Sequence, residues 1–348
     1  MKALLLSEYK RLAVADMPEP VPGPGDVLVQ VAACGICGSD VHGYDGSSGR
    51  RIPPVVMGHE AAGVVAGVGS DVRGFAKGDR VTFDLTVYCG VCDFCRRGEM
   101  NLCDNRQVVG VSCNEFRRAG AFAEYVTVPE RIVYALPPGL KFAEAAMLEA
   151  VSVALHAVAV SEVSGGETAL VIGAGMIGLL VLQAARAAGC SRVFVADIDA
   201  TRLKLAKNLG ADETVLASGE DLIREVSRLP GERGMDLVLE AVGRDETVNA
   251  AIDCVRKGGT VTLVGNIAPK VSLPLQKVVT RQIRLQGSCA SAGEYPQAME
   301  LISNGKIKVE PLITAVAPLS DGPEWFARLY AREPNLMKIV LDPREGAK

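Results

Sequence analysis

The segment TALVIGAGMIG, residues 168–178, is the strongest indication of the fold, because it joins an apolar run to a glycine-rich turn and the start of a helical pattern. Gly173, Gly175 and Gly178 have the G-x-G-x-x-G spacing of dinucleotide-binding units. The first glycine permits a tight turn, the second lets the backbone approach a pyrophosphate, and the third lets the helix pack closely on the sheet. The alternative, a glycine-rich turn without a ligand, is disfavoured because the whole strand–turn–helix unit is present.

An acidic residue follows this unit at the expected distance. Asp197 ends the next apolar run, VFVAD. A carboxylate there can accept hydrogen bonds from ribose hydroxyls and would repel a 2′-phosphate, which predicts NAD rather than NADP. Arg202, in the helical pattern that comes next, could stack on adenine. A solvated charge on the helix surface is the alternative for Arg202.

The sequence pattern changes near residue 150. Before it, short β-branched runs are separated by glycine and proline, which predicts an irregular, mostly antiparallel β domain. From about residue 165, strand and helix patterns alternate and the strand runs are continuously apolar. This alternation predicts a doubly wound parallel sheet, so the predicted fold class is α/β with a separate β-rich domain.

Composition narrows the classes of function. The 348 residues suffice for two domains, and the 37 Lys and Arg residues nearly balance the 41 Asp and Glu residues without forming a basic run. No nucleic-acid partner is therefore expected. The most apolar stretch, residues 145–160, contains Glu149 and His156, so no membrane span is expected either. The apolar run at the N-terminus is too short for a signal peptide, and a cytoplasmic location is predicted.

Four of the ten cysteines lie in YCGVCDFCRRGEMNLC, residues 88–103. The spacing C-x2-C-x2-C-x7-C belongs to Cys89, Cys92, Cys95 and Cys103. Four thiolates on a short loop can surround one zinc ion as a tetrahedron. Disulfides are disfavoured in a reducing compartment, a nucleic-acid zinc ribbon usually has two separated pairs, and core cysteines rarely crowd into a polar loop. The loop predicts a closed structural zinc site without an open position for a substrate.

A second group of possible metal ligands lies nearer the N-terminus. Cys37 belongs to CGICGSDVH, and His59 and Glu60 belong to GHEAAG. The chain has only three histidines, and His42 and His59 both lie in these glycine-rich stretches. A thiol, an imidazole and a carboxylate together suit zinc. Each alone is more often structural, and Cys34 with Cys37 could also form a redox pair, although no thioredoxin-like context surrounds them.

Glu149 interrupts an apolar run, LEAVSVALHA. A buried carboxylate is unfavourable unless it is paired or bound to a metal, so Glu149 is a further candidate ligand. A local bridge to a neighbouring group is the alternative. For His156, two helical turns later, a hydrogen-bonded core histidine is the preferred interpretation.

These motifs together resemble the zinc-containing medium-chain alcohol dehydrogenases, in particular the polyol (sorbitol or iditol) dehydrogenase branch. Galactitol-phosphate, butanediol and threonine dehydrogenases are similar too. The resemblance covers essentially the whole chain. It implies a GroES-like catalytic domain over 1–149 with the structural zinc loop 88–103, a Rossmann NAD-binding domain over 150–287, and a return to the catalytic domain over 288–348.

The resemblance also implies roles for single residues. Cys37 and His59 match ligands of a catalytic zinc, Glu60 a direct or near ligand, and Glu149 a ligand that binds directly or through water. Ser39 matches the hydroxyl that takes the substrate proton, and His42 the histidine that ends the relay to solvent. Cofactor contacts are implied for Ile177, Asp197, Arg202 and Val264, and two zinc ions per chain are implied.

The activity that the resemblance implies is oxidation of a secondary alcohol of a polyol by NAD to give a ketone or ketose. Sorbitol enzymes of this family hold substrate hydroxyls with an Arg-Tyr pair, and Ala290 and Ser291 occupy that segment here, so a bidentate donor is missing. The alternatives are a butanediol, threonine or polyol-phosphate dehydrogenase, and a non-catalytic module that binds zinc and NAD. A homotetramer or homodimer is expected.

Overall fold

The structure, a computed structural model, describes residues 1–113, 116–228 and 233–344. The chain forms two compact units. The first comprises Met1–Glu149, Tyr295–Ser303 and Val309–Lys348, and the second comprises Ala150–Glu294 and Asn304–Lys308. Residues 288–294, at the start of the predicted C-terminal return, lie in the second unit.

The strands are numbered in chain order. They are β1 (Lys2–Glu8), β2 (Arg11–Asp16), β3 (Asp26–Gly35), β4 (Val55–Val56), β5 (Glu60–Val68), β6 (Arg80–Phe83), β7 (Thr86–Val87), β8 (Gln107–Val109), β9 (Arg117–Arg118), β10 (Tyr125–Pro129), β11 (Val133–Ala135), β12 (Thr168–Ile172), β13 (Arg192–Asp197), β14 (Glu213–Leu216), β15 (Met235–Glu240), β16 (Val255–Leu263), β17 (Arg284–Gly287), β18 (Ile313–Pro318) and β19 (Lys338–Asp342).

The helices are numbered in the same way. They are α1 (Gly38–Tyr44), α2 (Asp93–Arg96), α3 (Phe142–Ala145), α4 (Leu148–Ala159), α5 (Met176–Ala187), α6 (Ala200–Asn208), α7 (Gly219–Val226), α8 (Asp245–Cys254), α9 (Leu275–Thr280), α10 (Tyr295–Ser303) and α11 (Gly322–Tyr330).

The first unit is built mainly from antiparallel strands. Its largest sheet has the order β11-β6-β5-β3-β19-β18, with β10 paired to β3, and two three-stranded sheets have the orders β2-β1-β4 and β7-β8-β9. Among the described strands of this unit, parallel pairing is limited to β18 with β19 and β8 with β9. The predicted irregular, mostly antiparallel domain is therefore confirmed.

The pair of strands β3 and β5 forms the frame for the metal-ligand candidates. Strand β3, DVLVQVAACG, is buried at nearly every position. Gly63 of β5 approaches β3 so closely that a Cβ there would lie 2.0 Å from the Gln30 carbonyl oxygen. At the other end of the pair, Gly35 lies opposite Glu60. The chain that leaves β3 and the chain that enters β5 are therefore held side by side.

The second unit contains a six-stranded sheet with the order β14-β13-β12-β15-β16-β17, and every pair in it is parallel. This order is that of two βαβ halves that diverge from a central switch point, where ligands bind at the carboxyl ends of the strands. The buried runs ALVI within β12 and VFVA within β13 explain the continuous apolar pattern of the sequence. The predicted doubly wound sheet is confirmed.

The stretch Phe142–Ala159, which holds α3 and α4, is long and apolar enough to cross a membrane by length and composition alone. However, 72% of it is buried inside the protein. Such burial is typical of helices that pack into a protein core.

Candidate functional site

The paired strand ends bring together three of the predicted zinc ligands. Cys37 follows β3 and is the N-cap residue of α1, while His59 precedes β5 and Glu60 begins it. One ligand atom from each of the three residues lies within 4.8 Å of the other two. His59 and Glu60 are buried and Cys37 is half-buried. The arrangement places a thiol, an imidazole and a carboxylate around one point.

Asp40 lies beside this cluster and contacts two of its members. Its Oδ1 atom lies 3.5 Å from His59 Nδ1 and accepts a 3.0 Å hydrogen bond from Arg51 Nη2, while its Oδ2 atom accepts one of 3.3 Å from the Cys37 backbone N–H. Burial opposes ionisation of Asp40, but the charges of His59 and Arg51 outweigh it and lower the pKa of Asp40 to about 2. Asp40 is therefore a buried anion that lies beside both Cys37 and His59.

The same interaction acts on His59. Burial alone would lower the pKa of His59, but the Asp40 carboxylate and contacts with Cys37 raise that pKa well above its ordinary value. Without a bound metal, the ring thus tends to keep its second proton. Because zinc binds neutral imidazole, a zinc ion bound through His59 would displace a proton.

Glu60 has one oxygen paired and one oxygen free. Lys338, in β19 and only 1% exposed, donates to Glu60 Oε2 and to the Ile36 carbonyl oxygen, the latter at 3.0 Å. Glu60 Oε1 is buried and has no hydrogen-bond partner among the described residues. A buried acceptor without a donor is unfavourable unless something else satisfies it. A cation held by Cys37 and His59 would satisfy it, so the donor set fits zinc.

Glu149 lies in the same unit and is 7% exposed, but it does not belong to the group of three. Burial and the negative charge of Glu60 raise the pKa of Glu149 to about 7, against the opposite effects of His59 and Lys338. The carboxyl therefore lies within electrostatic reach of the cluster.

The two predicted relay residues lie on α1. Ser39 Oγ accepts a 3.0 Å hydrogen bond from Arg51 Nη2. His42 is exposed, as a group that exchanges protons with solvent must be. His156 instead bonds through Nδ1 to Glu294 Oε1 at 2.7 Å, in accord with its interpretation as a hydrogen-bonded core histidine.

The structure also brings together Cys89, Cys92, Cys95 and Cys103, whose sulfur atoms all lie within 4.8 Å of one another. The Cys92 and Cys95 sulfurs are 3.5 Å apart, and those of Cys89 and Cys95 are 4.0 Å apart. The backbone N–H groups of Val91 and Cys92 donate to Cys89 Sγ and lower the pKa of the Cys89 thiol to about 6. The four sulfur atoms are close together but form no disulfide, and backbone amides point at one of them. This arrangement fits a zinc ion bound by four thiolates.

The glycine-rich turn of the second unit has the geometry that a dinucleotide needs. Gly173 has a φ of 99°, in the left-handed region. A Cβ on Gly178 would lie 1.8 Å from the Gly173 carbonyl oxygen, so only glycine lets α5 approach the turn. Gly175 is the N-cap residue of α5 and has open space where a Cβ would stand.

The remaining predicted cofactor residues are close to this turn or to the strand ends. Asp197 Oδ2 accepts a 2.5 Å hydrogen bond from the Ala174 N–H, and Oδ1 accepts one of 2.9 Å from the Asp199 N–H. Ile177 is half-buried on α5, and Val264 follows β16. The side chain of Arg202 is 44% exposed, and its Nε atom lies 3.6 Å from Asp199 Oδ2.

Three residues that surround the cluster of Cys37, His59 and Glu60 were not predicted from the sequence, namely Asp40, Arg51 and Lys338. Asp40 lies in GSDVH, between Ser39 and His42, and its place between two predicted site residues could have identified it. Arg51 and Lys338 had no such signal, because a lone basic residue in a sequence is typical of a protein surface.

Comparisons with known proteins agree with this geometry. The chain matches the profile of the alcohol dehydrogenase GroES-like domain over residues 23–138 and that of the zinc-binding dehydrogenases over residues 177–304. It is 31% identical to a sorbitol dehydrogenase of Bacillus subtilis, covering 99% of this chain and 97% of that one. It is 36% identical to a D-arabitol-phosphate dehydrogenase of Enterococcus avium, covering 96% and 94%.

A solved structure shows the same fold. A dehydrogenase from Sinorhizobium meliloti bound to NADP superimposes with a TM-score of 0.88 at 34% identity, covering 98% of this chain and 99% of that one. The resemblance predicted from the motifs is confirmed. The chain belongs to the zinc-binding dehydrogenase family that carries an alcohol dehydrogenase GroES-like domain.

Proposed function

We propose that this protein is a zinc-dependent dehydrogenase that transfers a hydride from a secondary alcohol of a polyol to NAD and releases a ketone or ketose. The observation that carries the proposal is the cluster of Cys37, His59 and Glu60, in which the buried Oε1 atom of Glu60 lacks a hydrogen-bond partner among the described residues. The relatives named as sorbitol and D-arabitol-phosphate dehydrogenases support a polyol as the substrate.

In this proposal each residue of the cluster has one task. Cys37 and His59 hold the zinc ion, while Glu60 and Glu149 complete its surroundings directly or through water. When bound, zinc supplies a Lewis acid that makes an alcohol proton easier to remove, and NAD accepts the hydride.

Two residues of α1 are proposed to handle the proton. Ser39 would accept it at Oγ from the substrate alcohol, and exposed His42 would end the relay to solvent. Asp40 keeps the His59 ring in one orientation, as carboxylates behind zinc-binding histidines do.

For the cofactor we propose NAD. Gly173, Gly175 and Gly178 give the pyrophosphate access to the N-terminus of α5, and the Asp197 carboxylate favours ribose hydroxyls over a 2′-phosphate. Ile177, Arg202 and Val264 are proposed as further contacts of the cofactor. The S. meliloti relative binds NADP, so the choice of cofactor requires a direct test.

The second zinc ion is proposed to be structural and to bind Cys89, Cys92, Cys95 and Cys103. We propose residues 1–149 and 288–348 as the catalytic domain and 150–287 as the NAD-binding domain. The proposed location is the cytoplasm, and the proposed assembly is a homotetramer or homodimer without nucleic-acid or membrane partners.

The proposal is tested by the initial rate of NADH formation with sorbitol, iditol, galactitol, xylitol, 2,3-butanediol, threonine and hexitol phosphates, repeated with NADP. Turnover of a free polyol with NAD supports the proposal. Activity with only a diol, threonine or a phosphate would assign the chain to an alternative substrate class. Tight NAD binding without turnover of any alcohol would favour a non-catalytic module.

A further inference from the structure

Arg51 is a buried cation that has no role in the proposed reaction as described above. It lies between α1 and β4 and is 4% exposed. One of its terminal nitrogens, Nη2, donates to both Ser39 Oγ and Asp40 Oδ1, each at 3.0 Å. One guanidinium group thus contacts the proposed proton acceptor and the anion behind the proposed zinc ligand His59.

The fold holds Arg51 in this position from two sides. Gly43 of α1 leaves room for the arginine stem, because a Cβ there would lie 2.7 Å from Arg51 Cγ and 2.8 Å from Arg51 Cβ. Next to it in the chain, Ile52 exchanges two hydrogen bonds with the Ser112 hydroxyl, of 2.6 and 2.8 Å. The guanidinium therefore has little freedom to turn away from α1.

We infer that Arg51 is a positioning residue that sets the direction of proton transfer at Ser39 and the orientation of His59, an inference that rests on the proposed function. A hydroxyl oxygen has two lone pairs and one proton. Since Arg51 occupies one lone pair of Ser39 Oγ, one lone pair is left to receive the alcohol proton. When Ser39 Oγ receives the alcohol proton, its own hydroxyl proton leaves. Ser39 therefore relays a proton and stays neutral.

The second effect acts through Asp40. Its Oδ1 atom, which receives the Arg51 hydrogen bond, is also the atom 3.5 Å from His59 Nδ1, and its Oδ2 atom receives the Cys37 N–H. Arg51 therefore holds a carboxylate that lies beside both His59 and the backbone of Cys37. Groups that orient a metal ligand from behind commonly change metal affinity by about 10–100-fold when they are removed.

The test compares wild-type protein with Arg51→Met, which removes the charge and keeps much of the stem, and with Arg51→Lys, which restores a charge. Arg50→Met is the matched control, because Arg50 is the exposed neighbour. The first readout is zinc release to the chromogenic chelator 4-(2-pyridylazo)resorcinol. We expect one of the two zinc ions of Arg51→Met to leave about 10–100 times faster than in wild type, and the ion at the four cysteines to be unaffected.

The second readout is turnover of the best alcohol. We expect kcat of Arg51→Met to fall about 10–100-fold with KM for the alcohol unchanged, and the solvent deuterium isotope effect on kcat to increase because proton transfer has slowed. Arg51→Lys should recover part of both losses. Wild-type zinc release together with wild-type kcat in Arg51→Met would overturn the inference, and so would equal effects of Arg50→Met.

A second variant serves if Arg51→Met does not fold. Gly43→Ala leaves Arg51 in the sequence but forces its stem to shift, so we expect smaller changes in the same directions. Unchanged zinc release and kcat in that variant would contradict the inference. If the wild type oxidises no alcohol, the proposed function fails, while the zinc-release comparison still decides whether Arg51 supports the metal site.

Discussion

Lys338 and Glu60 form a buried ion pair although 278 residues separate them in the chain. Their side chains are 1% and 0% exposed. Burial disfavours the charged form of Lys338, but the carboxylate of Glu60 outweighs this effect and raises the pKa of Lys338 above its ordinary value. Strand β19 thus supplies a positive charge that balances the carboxylate of the metal cluster.

Replacing Lys338 by Met should destabilise the first unit. Removal of one partner of a buried ion pair leaves an uncompensated charge, and we expect a loss of about 3–5 kcal/mol in the free energy of unfolding. Trp325, the chain's one tryptophan, lies in α11 of this unit, so its fluorescence during urea unfolding reports the change. Lys204→Met, at an exposed lysine, is the control, and equal stability of the two variants would contradict the prediction.

Replacing Cys95 by Ser should remove the structural zinc. We expect the zinc content to fall by about one ion per chain and the free energy of unfolding to fall by more than about 4 kcal/mol, because loss of a metal is among the largest single effects. Metal analysis and Trp325 fluorescence measure both changes. Cys113→Ser, outside both clusters, should change neither. A fully stable Cys95→Ser protein with unchanged zinc content would disprove the structural site.

Replacing Asp197 by Asn should shift the choice of cofactor. The amide oxygen can still accept the Ala174 hydrogen bond, but the charge that repels a 2′-phosphate is gone. We expect the ratio of kcat/KM for NADP to kcat/KM for NAD to rise about tenfold or more, equivalent to about 1.4 kcal/mol. The control is Asp199→Asn, since Asp199 caps α6 and asparagine also caps helices well. An unchanged ratio in Asp197→Asn would show that Asp197 does not select the cofactor.

Zinc binding to the metal-free protein should depend on pH through His59. Because Asp40 raises the pKa of His59, the ring binds a proton that zinc must displace, and zinc affinity rises with pH until that raised pKa is passed. In Asp40→Asn, burial lowers the His59 pKa without opposition from a carboxylate. We therefore expect this variant to release fewer protons per zinc bound at about pH 7.5 than wild type does. Equal proton release, measured by calorimetry in buffers of different ionisation enthalpy, would refute this.

Much of the fold could be predicted from the sequence because its signals are local. Continuous apolar runs followed by glycines indicate β12 and the turn to α5, and short runs between Gly and Pro indicate the antiparallel strands. The candidate ligands Cys37, His59 and Glu60 could be predicted because a thiol, an imidazole and a carboxylate, which together suit zinc, occur in two glycine-rich segments.

The support of the site could not be predicted in the same way. Arg51 and Lys338 look like ordinary surface charges in the sequence, and only the tertiary pairing of α1 and β19 with the cluster buries them. Asp40 is intermediate, since it lies within a recognised motif but its role depends on the distance to His59.

A comparison of Cys37→Ser with wild type and with the control Cys113→Ser tests whether a zinc ion bound by Cys37 is needed for alcohol oxidation. The measurement is zinc content together with the rate of NADH formation from the best polyol of the panel. If Cys37 binds the catalytic zinc, Cys37→Ser stays folded, loses about one zinc ion per chain and loses essentially all NADH formation, while the control keeps both. Wild-type NADH formation by a Cys37→Ser protein that lacks this zinc would show that the reaction does not need it.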